Sequence, residues 1–263
     1  MTSDYDLVVV GGGPAGSTAA TAVALRGHRV LLLERETFPR YQIGESLLPA
    51  TVHGLCRILG VADEVARAGF TLKRGGTLRW GRAPEPWQFS FSMTPRLPEP
   101  TATAFQVERS RFDEILLRNA ERVGVDVREG SPERRVLTDG EQVHGVEYTD
   151  PDGTARTAHA RFVIDASGNT SRIHGHVGGA RVYSDFFRNL AVFGYYAGGR
   201  RLPEPNSGNI FCAAFHAGWL WQQPLTLRRG HLSSVQFGRT PPSTSRQKSP
   251  TRALNTSGDS WNG

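Results

Sequence analysis

The sequence predicts an α/β fold organised around a parallel sheet, on three observations. Tyr5–Val10 is an apolar run ending in three valines, followed at once by a glycine-rich turn. Arg29–Leu33 is a second apolar run, separated from that turn by one helix-length of small residues. Short β-rich segments between residues 134 and 165 are punctuated by Asp139-Gly140 and Asp150-Pro-Asp-Gly153, both strong turn signals. Strand, glycine turn, helix and strand in that order are the parts of a βαβ unit.

Taking the elements in order, Tyr5–Val10 reads as a buried parallel strand, because both faces of such a strand are covered and apolar residues need not alternate. Gly11-Gly-Gly-Pro-Ala-Gly16 follows and satisfies G-x-G-x-x-G. Gly11 permits the tight turn, Gly13 lets the backbone approach a pyrophosphate, and Gly16 allows helix and strand to pack closely. Ser17–Leu25 is the helix, whose N-terminal N–H groups face the phosphates. Arg29–Leu33 ends at Glu34, eighteen residues after Gly16, where a carboxylate accepts from ribose hydroxyls. Gly11, Gly12, Gly13, Ala15, Gly16, Ser17 and Glu34 are therefore the candidate dinucleotide contacts, and the motif leaves FAD and NAD both open. Farther on, Arg134–Thr138, Val143–Thr149 and Thr154–Ala160 read as a three-stranded meander, after which Phe162–Asp165 returns as a parallel strand ending in Asp165-Ala-Ser-Gly168.

Composition narrows the class of partner. The chain has 263 residues, a formal charge of +6 and a sequence pI near 9.8. Residues 226–263 hold six basic residues and one acidic residue, so +5 of that charge lies in the last segment and the rest of the chain is nearly neutral. The basicity thus gives no ground for a nucleic-acid partner. No run approaches the ~18 apolar residues of a membrane span, and Met1–Asp6 has no signal-peptide pattern. Cys56 and Cys212, far apart, suit a reduced cytoplasmic protein. His174-Gly-His176 and His216-Ala-Gly218 are declined as metal ligands, because H-x-G iron chemistry needs a distal histidine on a β-rich fold. Trp80, Trp87, Phe89 and Phe91 read as packing, with no basic stripe beside them.

Several separated segments carry a family resemblance. The meander inserted before the last parallel strand resembles the glutathione-reductase-like FAD domain, in which the segment matching Phe162–Gly168 lies beside the ADP half; Asp165 and Gly168 are the candidates there. Gln106–Asp113 looks like the segment that sends an arginine to the flavin in aromatic hydroxylases, with Arg109 and Arg111 both open. Phe38–Pro49 reads as the opening of a helix capped by Ser46, with Arg40, Glu45 and Ser46 as candidate contacts of the flavin cofactor. That segment, Gly69–Gly76 around Lys73, and Trp219-x-Trp221-x-x-Pro224 together resemble the FAD-dependent halogenases, whose signature is W-x-W-x-I-P. The wording of Tyr41–Pro49, Thr71–Gly81 and Pro203–Ile210 looks most like the enzymes that chlorinate tyrosine units in glycopeptide-antibiotic assembly.

The resemblance implies a chemistry. FADH2 from a separate flavin reductase, O2 and chloride yield hypochlorous acid beside the isoalloxazine. Trp219 and Trp221 wall the flavin off from the organic substrate, and Lys73 receives the oxidant and aims it at an aromatic carbon. The implied substrate is a phenol of the tyrosine type on a peptidyl carrier protein. An FAD-dependent aromatic monooxygenase and an inactive fragment retaining nucleotide binding are the two rival readings.

The expected organisation is an FAD-binding domain over 1–180, the start of an incomplete substrate-side sheet over 181–225, and a low-complexity tail over 226–263. Gln223 stands where the motif has Ile and marks either a tolerated variant or the start of disruption. A reading-frame shift between Trp221 and His231, leaving the aromatic segment Tyr183–Ala197 without partners, is expected.

Overall fold

The computed structural model describes residues 3–140, 142–171, 173–184, 190–216, 218–227 and 230–239. The valine run forms β1 (Tyr5–Val10), the small-residue stretch α1 (Pro14–Ala24) and the next apolar run β2 (Val30–Leu33). Pro14 opens α1 at the position where a missing N–H costs nothing. A π-helical stretch, Ala50–Leu55, runs into α2 (Cys56–Ile58), and α3 (Ala62–Arg67) follows. Next come β3 (Thr71–Lys73), β4 (Gly75–Arg79), β5 (Trp87–Ser90), β6 (Ala104–Gln106) and α4 (Arg109–Arg122). β7 (Asp126–Arg128), β8 (Glu133–Asp139), β9 (Gln142–Thr149) and β10 (Ala155–Asp165) complete the first half. β11 (Leu190–Ala197), β12 (Ile210–Phe215), β13 (Gly218–Leu227) and β14 (Gly230–Arg239) follow.

The first sheet has the order β7-β2-β1-β10-β9-β8. Its β7, β2, β1 and β10 neighbours run parallel, while β9 and β8 are antiparallel. One face packs Leu7, Val9, Val30 and Leu32 against Ala20 of α1 and Leu117 and Ala120 of α4. The other packs Val8, Val10, Leu31 and Leu33 under Val136, Val146 and Tyr148 of the meander. Double-sided burial explains the unbroken apolar runs. The expected break between the meander's last strand and the returning parallel strand is absent: β10 is continuous. Ala155–His159 pair antiparallel with β9, and from Ala160 onward the same strand pairs parallel with β1.

The second sheet has the order β11-β14-β13-β12-β4-β5. It takes β4 and β5 from inside the segment assigned to the first domain, because β4 pairs parallel with β12 (Gly76↔Ile210 to Arg79↔Ala213). Its register is pinned by Asn209, whose Oδ1 accepts from the N–H groups of Arg74 and Gly75 at 2.8 Å each. The described residues from 226 to 239, expected to open the tail, belong to strands instead. β13 runs on to Leu227, and β14 pairs with β13 (Gly218↔Arg239 to Leu227↔Gly230) and with β11 (Leu190↔Arg239 to Ala197↔Leu232). The aromatic β11 therefore has a strand partner, although Val192, Phe193, Tyr195 and Tyr196 keep exposed side chains. Residues 240–263 of the expected tail lie outside the described residues. No helix among the described residues is long and apolar enough to cross a membrane.

The Trp219 ring lies directly over Gly238, its cross-strand partner: a Cβ built at Gly238 would sit 2.1 Å from Trp219 Cε2. Gly238→Ala is therefore expected to displace the indole at a cost of about 1–3 kcal/mol, the range for overpacking a close contact. Near-UV circular dichroism and urea unfolding check this; an unchanged spectrum and midpoint would show that β14 is not in this register.

Candidate functional site

The nucleotide cleft forms where β1 and β10 end side by side. Gly11 has φ +105, and a Cβ there would lie 2.4 Å from the Ala166 carbonyl oxygen, so only glycine lets the turn close against the end of β10. A Cβ on Gly16 would meet Gly11 O at 1.8 Å, which fixes the helix–strand approach. The N-terminus of α1 has no capping side chain and no acid in its first turn, leaving its positive end open to an anion. A cleft of about 200 Å³ opens there, lined by Gly11, Gly13, Ala15, Glu34, Arg40, Arg109 and Gly168 among the sequence-predicted residues. Gly12 and Ser17 lie beneath it. Gly12 N–H donates to Glu34 Oε2 at 2.6 Å, and Ser17 Oγ donates to Gly12 O at 2.8 Å. Glu34 is 5% exposed and also accepts from Glu36 N–H at 2.9 Å, so it braces the turn as well as facing the cleft. An uncapped helix end, glycines that a Cβ would block, and a carboxylate at the end of β2 fit the ADP half of FAD.

The two arginine candidates separate cleanly. Arg109 lines the cleft and makes a two-point pair with Asp113 (Nε–Oδ1 2.7 Å, Nη2–Oδ2 2.9 Å). Asp113 is fully buried and also holds Arg40 Nη1 at 3.2 Å, so one carboxylate orients two guanidinium groups toward the cleft. Arg111 is two positions on, about 200° around the helix, and donates instead to Ala68 O beside the Phe70 ring. It belongs to another surface. Asp165 is not among the residues that line the cleft, although Ala166, Ser167 and Gly168 after it are. It accepts from Ser167 N–H and Oγ and from Ser171 Oγ, tying the turn after β10. Burial raises its carboxyl, but those hydrogen bonds outweigh it and hold it below the usual range. Sequence reasoning missed Arg35, Gln42 and Glu133, which also line the cleft. Arg35 follows the motif acid directly, whereas Glu133 reaches the cleft only through the fold of β8 and has no sequence signal.

Ser46 does not cap a helix. It forms an antiparallel bridge with Gln106, held by Leu47 N–H to Phe105 O (3.0 Å) and Val107 N–H to Glu45 O (2.8 Å). Once the chain is drawn out along β6, helical turns begin only after Pro49. Lys73 is not a surface lysine: it is 4% exposed, and its Nζ donates to Ser46 Oγ at 2.8 Å and to Leu47 O at 2.9 Å. The ammonium lies 5.4 Å from the centroid of Phe91. Burial pushes its pKa down to about 8.

Trp219 and Trp221 alternate with Leu220 and share a face of β13 with Gln223. Gln223 is not disruptive. It is 1% exposed, its Oε1 accepts from Trp221 Nε1 at 3.3 Å, and its Nε2 donates to Glu45 Oε2. Glu45, also 1% exposed, accepts Tyr195 O–H at 2.6 Å on its other oxygen. Burial, then the bond to Glu45, raises the Tyr195 pKa, keeping it a donor. Arg40 thus lines the cleft, whereas Glu45 and Ser46 do not: Ser46 holds Lys73 and Glu45 holds Gln223 of the tryptophan strand. No group of three or more potential metal ligands gathers among the described residues.

Comparison with known proteins agrees with this geometry. The tryptophan halogenase family model matches residues 6–100 and 93–238, past the point where a frame break was expected. A tryptophan 2-halogenase of Chondromyces crocatus is 38% identical over 86% of this chain and 42% of its own length. A pyrrole-2-carbonyl-[peptidyl-carrier protein] brominase of Pseudoalteromonas luteoviolacea is 31% identical over 84% of this chain and 52% of its own. The structure of the myxobacterial FAD-dependent chondrochloren halogenase CndH superposes with a TM-score of 0.85 at 57% identity, over 90% of this chain and 53% of that one. The chain spans about half the length of these relatives, and their names do not single out a tyrosine-type substrate or chloride. On the family match over residues 6–238 and the fold it shares with CndH, the chain belongs to the tryptophan halogenase family of flavin-dependent halogenases.

Proposed function

We propose that this chain supplies the flavin site and the tryptophan-bearing sheet of an FADH2-dependent halogenase acting on a phenolic ring, of the tyrosine type, presented on a peptidyl carrier protein. The observation that carries the reading is a buried lysine held by Ser46 and Leu47, the two residues after the Glu45 that bonds Gln223 of the tryptophan strand. All but two of the chain's 31 basic residues are arginines, and the exceptions are Lys73 and Lys248. An arginine is always charged; a buried lysine exchanges its proton near neutrality. The carrier-bound substrate is supported by the pyrrole-carrier-protein brominase among the relatives. The phenol and the chloride rest on the likeness of the Tyr41–Pro49 and Thr71–Gly81 segments to tyrosine chlorinating enzymes.

When bound, reduced FAD activates O2 so that a halide is oxidised to hypohalous acid. The residues of this chain perform the rest. Gly11–Gly16 and the α1 N-terminus hold the pyrophosphate, Glu34 faces the ribose, and Asp113 aims Arg40 and Arg109. Trp219 and Trp221 exclude the ring from the flavin side. Below its pKa Lys73 is an ammonium that donates to the oxygen of hypohalous acid; above it, the free amine offers a lone pair to the halogen. The alternation is accessible at neutral pH because burial has brought the pKa to about 8. A flavin reductase supplies the reduced cofactor, and the reading places both proteins in the cytoplasm, where the two free cysteines stay reduced.

With reductase, NADH, O2, chloride and carrier-bound tyrosine, Lys73→Ala is expected to lower halogenation by about 10²–10⁴-fold, the range for losing a positioned acid–base group. Product chromatography with mass spectrometry reads this, and undiminished chlorination would remove Lys73 from its role. Arg109→Ala is expected to weaken FAD binding about tenfold, equivalent to about 1.4 kcal/mol, while Arg111→Ala leaves it unchanged. Flavin fluorescence titration distinguishes the two, and equal effects would refute the assignment. Acylation of Lys73, followed by peptide mass spectrometry with Lys248 as internal reference, is expected to rise with a midpoint near pH 8. The sign of the linked stability follows: the folded pKa lies below the unfolded value of 10.5, so this lysine's contribution is greatest above that value and is lost as pH falls through about 8.

A further inference from the structure

We propose that Gln223 is a positioning residue: by joining the Trp221 indole to the Glu45 carboxylate it holds the Glu45–Leu47 segment, and with it the seat of Lys73, against the tryptophan-bearing strand. The proposal rests on the reading above only for the role given to Lys73. Gln223 and Glu45 are each 1% exposed, so neither has water to fall back on. Both oxygens of Glu45 are used, one by Gln223 Nε2 and the other by Tyr195 O–H at 2.6 Å. The next two residues supply both acceptors of Lys73 Nζ, Ser46 Oγ and Leu47 O, at 2.8 and 2.9 Å. The backbone of the same three residues is stitched to β6 and Val107, and β6 is the partner of the strand that ends at Lys73. A displacement of Glu45 is thereby passed to the lysine's acceptors.

The isoleucine of the halogenase signature cannot make this link. In this chain an apolar side chain at 223 would leave Glu45 Oε2 buried without a donor and Trp221 Nε1 without an acceptor. The departure from the signature at 223 and the buried acid at 45 are two halves of one contact. Gln222, the residue before it, bonds elsewhere, to Arg200 O and Ser233 Oγ, and serves as a control on the same strand.

The test is the pH profile of Lys73 acylation in the 263-residue chain, which needs neither cofactor nor turnover. Gln223→Ile is expected to open the seat to water and move the midpoint upward by about one unit, toward the ordinary lysine range. Gln222→Ile is expected to leave it in place. Gln223→Glu alone sets two carboxylates together and should also raise the midpoint; adding Glu45→Gln reverses donor and acceptor and should restore the unsubstituted profile. A Gln223→Ile profile identical to that of the unsubstituted chain overturns the proposal. If Gln223→Ile does not fold, the Gln223→Glu single and double variants decide: restoration supports the link, and equal profiles overturn it. A midpoint near 10.5 in the unsubstituted chain would count against the functional reading of Lys73, whereas a lowered midpoint near 8 that no Gln223 change moves counts only against the coupling.

Discussion

The double-sided burial of β1 is the constraint on which the nucleotide half depends. Val8, Val9 and Val10 are at most 2% exposed because α1 and α4 close one face of the sheet and the meander closes the other. With β2 on one edge of β1 and β10 on the other, the chain leaving Val10 can turn only across the end of the sheet. That exit is too narrow for a Cβ at Gly11 or Gly16, and the open helix end is its by-product. The glycine motif is thus a packing requirement before it is a binding motif.

The second sheet is held by a different kind of tie. Its strands come from two distant stretches, residues 75–90 and 190–239, joined where β4 meets β12. The buried amide of Asn209 fixes that junction, as Glu45 and Gln223 fix the junction between the sheet and the segment beside the cleft. Buried polar contacts of this sort contribute little net stability, since each partner is costly to desolvate. Their effect is to exclude other registers, which leaves apolar burial for stability and amide contacts for alignment.

Sequence legibility followed the range of the interactions. The first forty residues were readable because strand, turn, helix and acid are near neighbours and each obeys a local rule. Lys73 drew attention only through resemblance; its burial depends on β6 and on Ser46, neither of which is predictable from its flanks. Ser46 sits in a sequence of capping composition, while the β6 ladder that draws it straight lies sixty residues away. Arg109 and Arg111 were indistinguishable in sequence and are separated by helix geometry alone. Gln223 looked like damage because its partner is 178 residues distant. The polar composition after Thr226 hid β14, which needs few large side chains because Gly238 yields its space to Trp219.

The continuity of β10 has a consequence for how the chain is made. Synthesis releases β1 some 150 residues before its second parallel partner, whose pairing starts at Ala160, so half of its backbone hydrogen bonds must wait. β4 waits for β12 over a similar interval, with the exposed indoles of Trp80 and Trp87 nearby. Through that interval both strands offer open edges, the form in which nascent chains associate with one another. Production of this protein accordingly depends on keeping these two edges shielded until the chain has passed residue 215.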